Sequence, residues 1–488
     1  MGIMIKKMYA ITINLYLPLF WIGLQLLPSA GFAQLSLPLF FKDQMVLQQN
    51  DSVAIWGWDL PETKIQMTTS WGETTYTIAE NDGKWRTKIK TPAASFQQQD
   101  ITIQGSTIVR IANVLIGEVW FCSGQSNMEM PMKGLGKSKV TGSLEFIQNG
   151  TNPYIRLFNT ERAGSLAPVT DVSGSWSEAN KKSISNFSAV GYLFAKKLYE
   201  KLNVPIGIIE ASWGGTRIEA WIPKAAALQY KDISIPSVLS ADPSKRKYPT
   251  QIYNGMIHAF QDYTIKGMLW YQGETNRANP KPYRGYLETL IEAWRSQWNN
   301  PQLPFYIVQI APYAYEKHRK TPWMNAALIR EAQLKASLEI PNTALVVTAD
   351  VGSCDDIHPP DKEPISERLA LLALHGRYGF EEIHCTSPIL DSIKVKGDQM
   401  VLFFKSVLNG SRTRLSSSKN SIQGLTISGA DKVFYPALAY IDKNGTLIVQ
   451  SDKVKKPVAV RYGFMDCFEG NLYGPSNLPV SPFRTDNW

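Results

Sequence analysis

Between about Ile111 and Phe380, short apolar runs alternate with amphipathic stretches, and this rhythm restricts the possible folds more than any other feature of the chain. The runs at 114–120, 154–158, 206–210, 267–271, 305–310 and 344–348 have strand length and are mostly apolar, as strands covered on both faces are. Between them Val190, Leu193, Phe194, Leu198 and Leu202 recur at helical spacing, with Lys196, Lys197 and Glu200 on the other face. Tyr283, Leu287, Leu290, Ile291, Trp294 and Trp298 repeat the pattern, as do Ile365, Leu369 and Leu372. Strand–helix alternation on this scale predicts an α/β unit, a doubly wound parallel sheet covered by helices on both faces. Ligands of such sheets bind beyond the carboxyl ends of the strands.

The flanking stretches read differently. From Leu35 to about Arg110, β-like runs such as 52–58, 64–68 and 83–89 are separated by turn signals, with Asn81-Asp82-Gly83 as a hairpin turn. A small β-sandwich is expected there. After about His384 the β pattern returns at 392–396, 400–405, 446–450 and 456–462, with a turn at Lys443-Asn444-Gly445. The expected organisation is a leader at 1–33, an N-terminal β-sandwich at 34–110, a catalytic α/β domain at 111–384 and a C-terminal all-β domain at 385–488.

Lys6 and Lys7 precede an apolar run from Ala10 to Leu27, and Gly31-Phe32-Ala33 supplies small residues before Gln34. That arrangement is a secretory signal peptide, which predicts a secreted or periplasmic protein with no stable membrane insertion after cleavage. The net charge is +9, yet no block of Lys and Arg is interleaved with aromatics, so the composition argues against a nucleic-acid partner. Export permits disulfides among Cys122, Cys354, Cys385 and Cys467, whose pairing the sequence leaves open. None of the four has metal-ligand spacing.

Ester hydrolysis near neutral pH needs a nucleophile, a base and donors for a tetrahedral oxyanion. After the apolar run 114–120, Gly124 opens a turn and places Ser126 where strand gives way to helix. Of the five histidines, His258, His318, His375 and His384 have no motif around them. His358 differs: it follows the last strand of the sheet, in a loop closed by Pro359-Pro360, with an acid three residues earlier. In a turn, positions i and i+3 approach each other, so Asp355 is expected to orient the His358 ring while Asp356 points elsewhere. Two more loops fall at strand ends. Ala211-Ser212-Trp213-Gly214-Gly215-Thr216 offers backbone N–H groups, and Trp270-Tyr271-Gln272-Gly273-Glu274-Thr275-Asn276 offers the Gln272 or Asn276 amide, with Glu274 ordering its loop.

Taken together, these blocks resemble the SGNH hydrolases, specifically the carbohydrate O-acetylesterases of the sialate O-acetylesterase type. The resemblance rests on Gly124-Gln125-Ser126-Asn127-Met128, Trp213-Gly214-Gly215-Thr216, Trp270-Tyr271-Gln272-Gly273-Glu274 and Asp355-Asp356-Ile357-His358-Pro359. It extends to Phe41-Lys42-Asp43-Gln44-Met45-Val46-Leu47-Gln48, to Glu469-Gly470-Asn471-Leu472-Tyr473 and to the ending Pro482-Phe483-Arg484-Thr485-Asp486-Asn487-Trp488. The resemblance implies a flavodoxin-like SGNH sheet, Ser126 as nucleophile, His358 as base and Asp355 as orienting acid. It implies an oxyanion hole from the Ser126 N–H, a Gly214 or Gly215 N–H and a side-chain amide. The usual Asn two residues after Gly is replaced by Thr275, so Gln272 is expected to supply that amide, with Asn276 in reserve. No metal or organic cofactor is implied. The implied substrate is O-acetylated sialic acid or another acetylated glycan. The alternatives are an acetylxylan or other plant-polysaccharide deacetylase and, from another class, a non-catalytic carbohydrate-binding protein.

Overall fold

The computed structural model describes residues 34–315 and 324–488; the leader expected over 1–33 and His318 lie outside the described residues. Its axis is a single 17-residue strand, Ile108–Gly124. The first half pairs antiparallel with Ser95–Gln104 and parallel with Val46–Gln48. Its second half is flanked in parallel by Ile206–Ser212 on one side and Gly267–Tyr271 on the other. The parallel sheet continues outward through Asn152–Thr160 on one side and through Phe305–Val308 and Thr343–Val346 on the other. Gly174–Ala179 closes the first edge in antiparallel sense. Each of the six apolar runs read from the sequence carries a strand of this sheet, and the molecule as a whole is a mixed α/β structure with several sheets.

Strand residues alternate between the faces, and each face has its own helices. Ile208 and Leu269 enter one buried cluster with Val190, Leu193 and Leu198 of helix Ala189–Leu202 and with Ile365 and Leu369 of helix Glu363–Tyr378. Ile209, Met268 and Trp270 enter the other, with Leu287, Leu290 and Trp294 of helix Tyr283–Gln297 and Ile329 of helix Asn325–Glu339. Each such aliphatic side chain contributes about 1.5–3 kcal/mol by leaving water. The sheet is held from both sides, and its carboxyl ends stay open.

The N-terminal stretch is not separated from this core. Val53, Ile55, Trp85 and Ile101 belong to the same buried cluster as Phe121 and Trp294. The long strand passes through position 110 with only a local kink at Asn113 (φ 55°), a residue type that tolerates the left-handed region. No glycine or proline interrupts 108–116, so nothing in the chain forces a break there. Downstream, Ile389–Lys396, Gln399–Lys405, Leu447–Gln450 and Leu438–Ile441 form an antiparallel sheet. A second sheet contains Phe434–Pro436, Leu425–Ser428, Ala459–Tyr462 and Phe483–Arg484. Met400, Leu402, Ile427 and Tyr462 of these sheets join the large cluster as well.

Cys354 and Cys467 form a disulfide across 113 residues, with Cα atoms 5.6 Å apart, while Cys122 and Cys385 are free and buried. The bond lies at the loop that leaves strand Thr343–Val346, four positions before His358, and is reinforced by the Gly470 N–H donated to the Ala349 carbonyl at 3.0 Å. No helix among the described residues is long and apolar enough to cross a membrane. Replacing both Cys354 and Cys467 by serine is expected to lower the unfolding free energy by about 2–4 kcal/mol, the usual value for losing a long-loop cross-link. A denaturant titration of the oxidised protein against the double variant measures this loss.

Candidate active site

Strand Ile108–Gly124 ends at a glycine with φ 146°, where a Cβ would collide with the Tyr271 carbonyl of the neighbouring strand. Gln125 is extended (φ −114°), and the chain then turns at once into the short helix Ser126–Glu129. The buried Gln125 side chain locks this corner: its Oε1 accepts from Gln272 Nε2 at 3.1 Å. Ser126 is left half-buried at the open end of the sheet, and its N–H donates to no other group among the described residues.

His358 arrives from the loop after strand Thr343–Val346, and its Nε2 lies 3.0 Å from Ser126 Oγ across 232 residues of sequence. Two main-chain ties hold that loop. Asn127 Nδ2 donates to the Ile357 carbonyl at 3.1 Å, and the Thr141 N–H donates to the Pro360 carbonyl at 2.9 Å. Burial holds the His358 ring below its usual pKa, and the nearby Lys362 charge adds to that effect while Asp356 opposes it. The imidazole is therefore neutral at neutral pH and its Nε2 can take the serine proton.

The acid differs from the expected one. The carboxylate beside the ring is Asp356, with Oδ1 3.6 Å from His358 Nδ1, and the same oxygen accepts the His358 main-chain N–H at 2.9 Å. Ser138 Oγ lies 3.3 Å from Nδ1. Asp355 is exposed, and its N–H donates to Ser353 Oγ at 3.2 Å. The loop is irregular rather than a regular turn, so the i, i+3 approach does not arise; Asp356 instead folds back on its own i+2 N–H, as aspartates do in Asx-turns. That contact carries its carboxylate to the ring.

The side-chain amide expected in the oxyanion hole also lies elsewhere. Gln272 is fully buried, and its Nε2 is spent on Gln125 Oε1, the Thr216 carbonyl (3.1 Å) and Asn276 Oδ1 (2.8 Å). Asn276 points the same way: its Nδ2 donates to Glu219 at 2.8 Å. Both amides brace the loop from beneath. Gly214 does reach the nucleophile, since a Cβ there would lie 3.2 Å from Ser126 Cβ, but its N–H donates to Glu129 Oε2 at 2.8 Å. Arg162 holds the other Glu129 oxygen, and burial raises the Glu129 pKa despite that cation. Gly215, one residue on, is exposed with φ 69°.

Beneath the pair lies a buried polar chain of which the sequence singled out only Glu274 as a loop-ordering residue, not Lys362 or the link through Asn127. Lys362 Nζ donates to Asn127 Oδ1 at 2.7 Å, and Asn127 Nδ2 donates to Glu274 Oε1 at 2.6 Å. Lys362 is fully buried, and that burial brings its pKa down to about 7, against the pull of Glu274 and Asp356. Burial likewise raises the Glu274 carboxyl. Glu274 thus orders the elbow through Asn127, the residue after the nucleophile. Only the lone cation following Pro359-Pro360-Asp361 could have hinted at Lys362, because its role depends on burial. Of the other histidines within the described residues, His258 contacts the Tyr253 hydroxyl at 3.3 Å, His375 is only part-exposed and His384 is exposed.

The assembly offers a hydroxyl, a neutral imidazole in contact with it, a carboxylate at the far nitrogen and the open Ser126 N–H, with the Gly214 N–H close by but donated to Glu129. Residues 116–365 match the family model described as carbohydrate esterase, sialic acid-specific acetylesterase. The chain is 27% identical over 497 residues to a sialate O-acetylesterase of Pongo abelii, with 91% of each chain covered. It is 28% identical over 399 residues to the sialate O-acetylesterase of Homo sapiens, with 73% of each covered. A solved structure, a carbohydrate acetylesterase from Xanthomonas citri, superposes with a TM-score of 0.83 at 34% identity, covering 93% of this chain and 100% of that one. The chain belongs to the sialic acid-specific acetylesterase family of carbohydrate esterases.

Two outcomes follow from the geometry. Asp356→Asn is expected to lower kcat by on the order of 10- to 100-fold, a share of the roughly 10²–10⁴ that a positioned base supplies, and to cost more than Asp355→Asn; steady-state kinetics of the two variants decide between them. Lys362→Met removes a charge that holds the His358 pKa down. The base then stays protonated to higher pH, so the acid limb of the kcat/KM profile moves to higher pH; a pH–rate series reads the shift directly.

Proposed function

We propose that this family member is a serine esterase that removes O-acetyl groups from carbohydrates, with O-acetylated sialic acid as the sugar. The observation that carries this reading is the 3.0 Å contact between Ser126 Oγ and His358 Nε2 at the open end of the sheet. Ser126 attacks the acetyl carbonyl while His358 Nε2 takes its proton. The tetrahedral oxyanion sits against the Ser126 N–H, and the Gly214 N–H joins it once Glu129 Oε2 moves off that donor. Collapse breaks the bond to the sugar oxygen, and His358 returns its proton to the departing hydroxyl. Water then attacks the acetyl-enzyme with His358 again as base, and acetate leaves. Asp356 stabilises the imidazolium formed in each half.

The parallel strand order around Ile108–Gly124, with helices on both faces, supports an SGNH-type sheet as the catalytic unit, with the β stretches at 34–110 and 385–488 as its flanks. The leader-like segment at 1–33 and the Cys354–Cys467 disulfide support a secreted or periplasmic setting, where such bonds persist.

Ser126→Ala is expected to reduce acetate release from acetylated sialic acid by at least about 10⁴-fold, as loss of a serine nucleophile does. Its thermal midpoint should stay close to that of the parent. A well-folded variant with full activity would overturn the assignment.

A further inference from the structure

The loop that brings Gly214 to the nucleophile continues into the wall of a cleft. Gly215, Arg217, Glu219, Lys247, Tyr248 and Thr275 line a space of about 410 Å3 there. Lys247 leans over the loop: its Nζ lies 3.5 Å from where a Gly215 Cβ would sit, one residue beyond the glycine that faces Ser126. Thr275 belongs to the opposite loop, so the cleft opens between the same two strand ends that frame the reacting hydroxyl.

The charges on this wall are unevenly matched. Glu219 accepts from Asn276 Nδ2 at 2.8 Å, and Asp232 accepts from the Tyr286 hydroxyl at 2.6 Å, so each acid of the lining is anchored by a neutral protein donor. Arg162 is taken by Glu129, and Lys245 pairs with Asp242 at 3.7 Å. Arg217 and Lys247 form no ion pair among the described residues. Lys247 is half-buried, where water screens its charge less than at an open surface. The wall thus carries Arg217, Lys245 and Lys247 against Glu219 and Asp232, and the Lys247 charge also acts on the Glu129 carboxyl. Exposed Arg217 and half-buried Lys247 flank the cleft beside Ser126, one a planar fork and the other a mobile point charge. That pair suits a carboxylate, which the guanidinium can grip through two parallel hydrogen bonds.

We infer that Arg217 and Lys247 form an anion subsite that takes the carboxylate of an acidic sugar while the acetyl ester of that sugar lies at Ser126. The inference rests on the reading of the protein as a sugar O-acetylesterase. The subsite gives selectivity through binding: the acidic sugar is recognised at a point away from the reacting carbonyl, and that contact fixes which hydroxyl faces the serine. Sialic acids and uronic acids both present such a carboxylate, at different distances from their acetylated hydroxyls.

The test compares kcat/KM for acetate release from 9-O-acetylated sialic acid with that from the same sugar carrying a neutral carboxamide, and adds acetylated polygalacturonate as the uronate arm. The acid is expected to exceed the amide by about 10- to 100-fold, the range for hydrogen bonds to a charged group, mainly through KM. In the double variant Arg217→Met/Lys247→Met that ratio should approach one. Turnover of polygalacturonate in place of the sialate, with the same collapse in the variant, assigns the subsite to uronic acids. Equal rates on acid and amide in the parent, or a preference that survives in the variant, overturn the subsite and leave the esterase reading intact. No acetate from any acetylated sugar overturns the esterase reading itself. The acid–amide comparison needs no substitution, so a misfolded variant does not blunt it.

Discussion

The structure hangs on the hydrogen-bonded strand Ile108–Gly124, which is flanked by different partners along its two halves. Its first half is the seam of the N-terminal sheet and its second half is the centre of the parallel sheet. A strand cannot shift its pairing register by one residue without moving every side chain to the other face. Fixing Phe121 in one core and Cys122 in the other therefore fixes the height at which Gly124 emerges. The position of Ser126 is decided there, two residues later, and the loops from the neighbouring strands are aligned to the same level by the same ladder.

The contact between Ser126 and His358 shows how a long chain closes a short distance. His358 comes from the far side of the sheet, and its loop would gain little from its own sequence, which has no regular structure between 347 and 362. Its placement comes from contacts to parts of the chain that are already rigid: Asn127 on the elbow, the Thr141 N–H and the Cys467 bridge. The buried Lys362–Asn127–Glu274 chain adds electrostatic cost, since each of its members is removed from water, and that cost is offset only while all three are joined. Such a cluster gives the site a single arrangement rather than several of similar energy.

Much of this was legible in the sequence. Burial on both faces leaves a strand no polar alternation, so the six central runs stood out, and the helices between them showed their apolar stripes. Ser126 and His358 were legible because each sits at the end of such a run, where geometry leaves few options. What could not be read was the direction of side chains in irregular loops. Asp355 and Asp356 are neighbours of the same type, and only the backbone path decides which one meets the ring. Gln272 was misplaced for a related reason: a residue just past a strand end can face the cleft or the interior, and the buried partners Gln125, Thr216 and Asn276 draw its amide inward. The union of the N-terminal sheet with the central one was hidden as well, because pairing between distant strands leaves no local mark.

The bridge between Cys354 and Cys467 has a bearing on how the protein comes to be made. A ribosome builds the chain in one direction, so Cys354 is in place 113 residues before its partner Cys467 exists. During that interval the loop carrying His358 has only its ties to Asn127 and Thr141, both from earlier in the chain. The covalent anchor of that loop thus belongs to the finished, oxidised molecule, and it is supplied only when the chain is nearly complete.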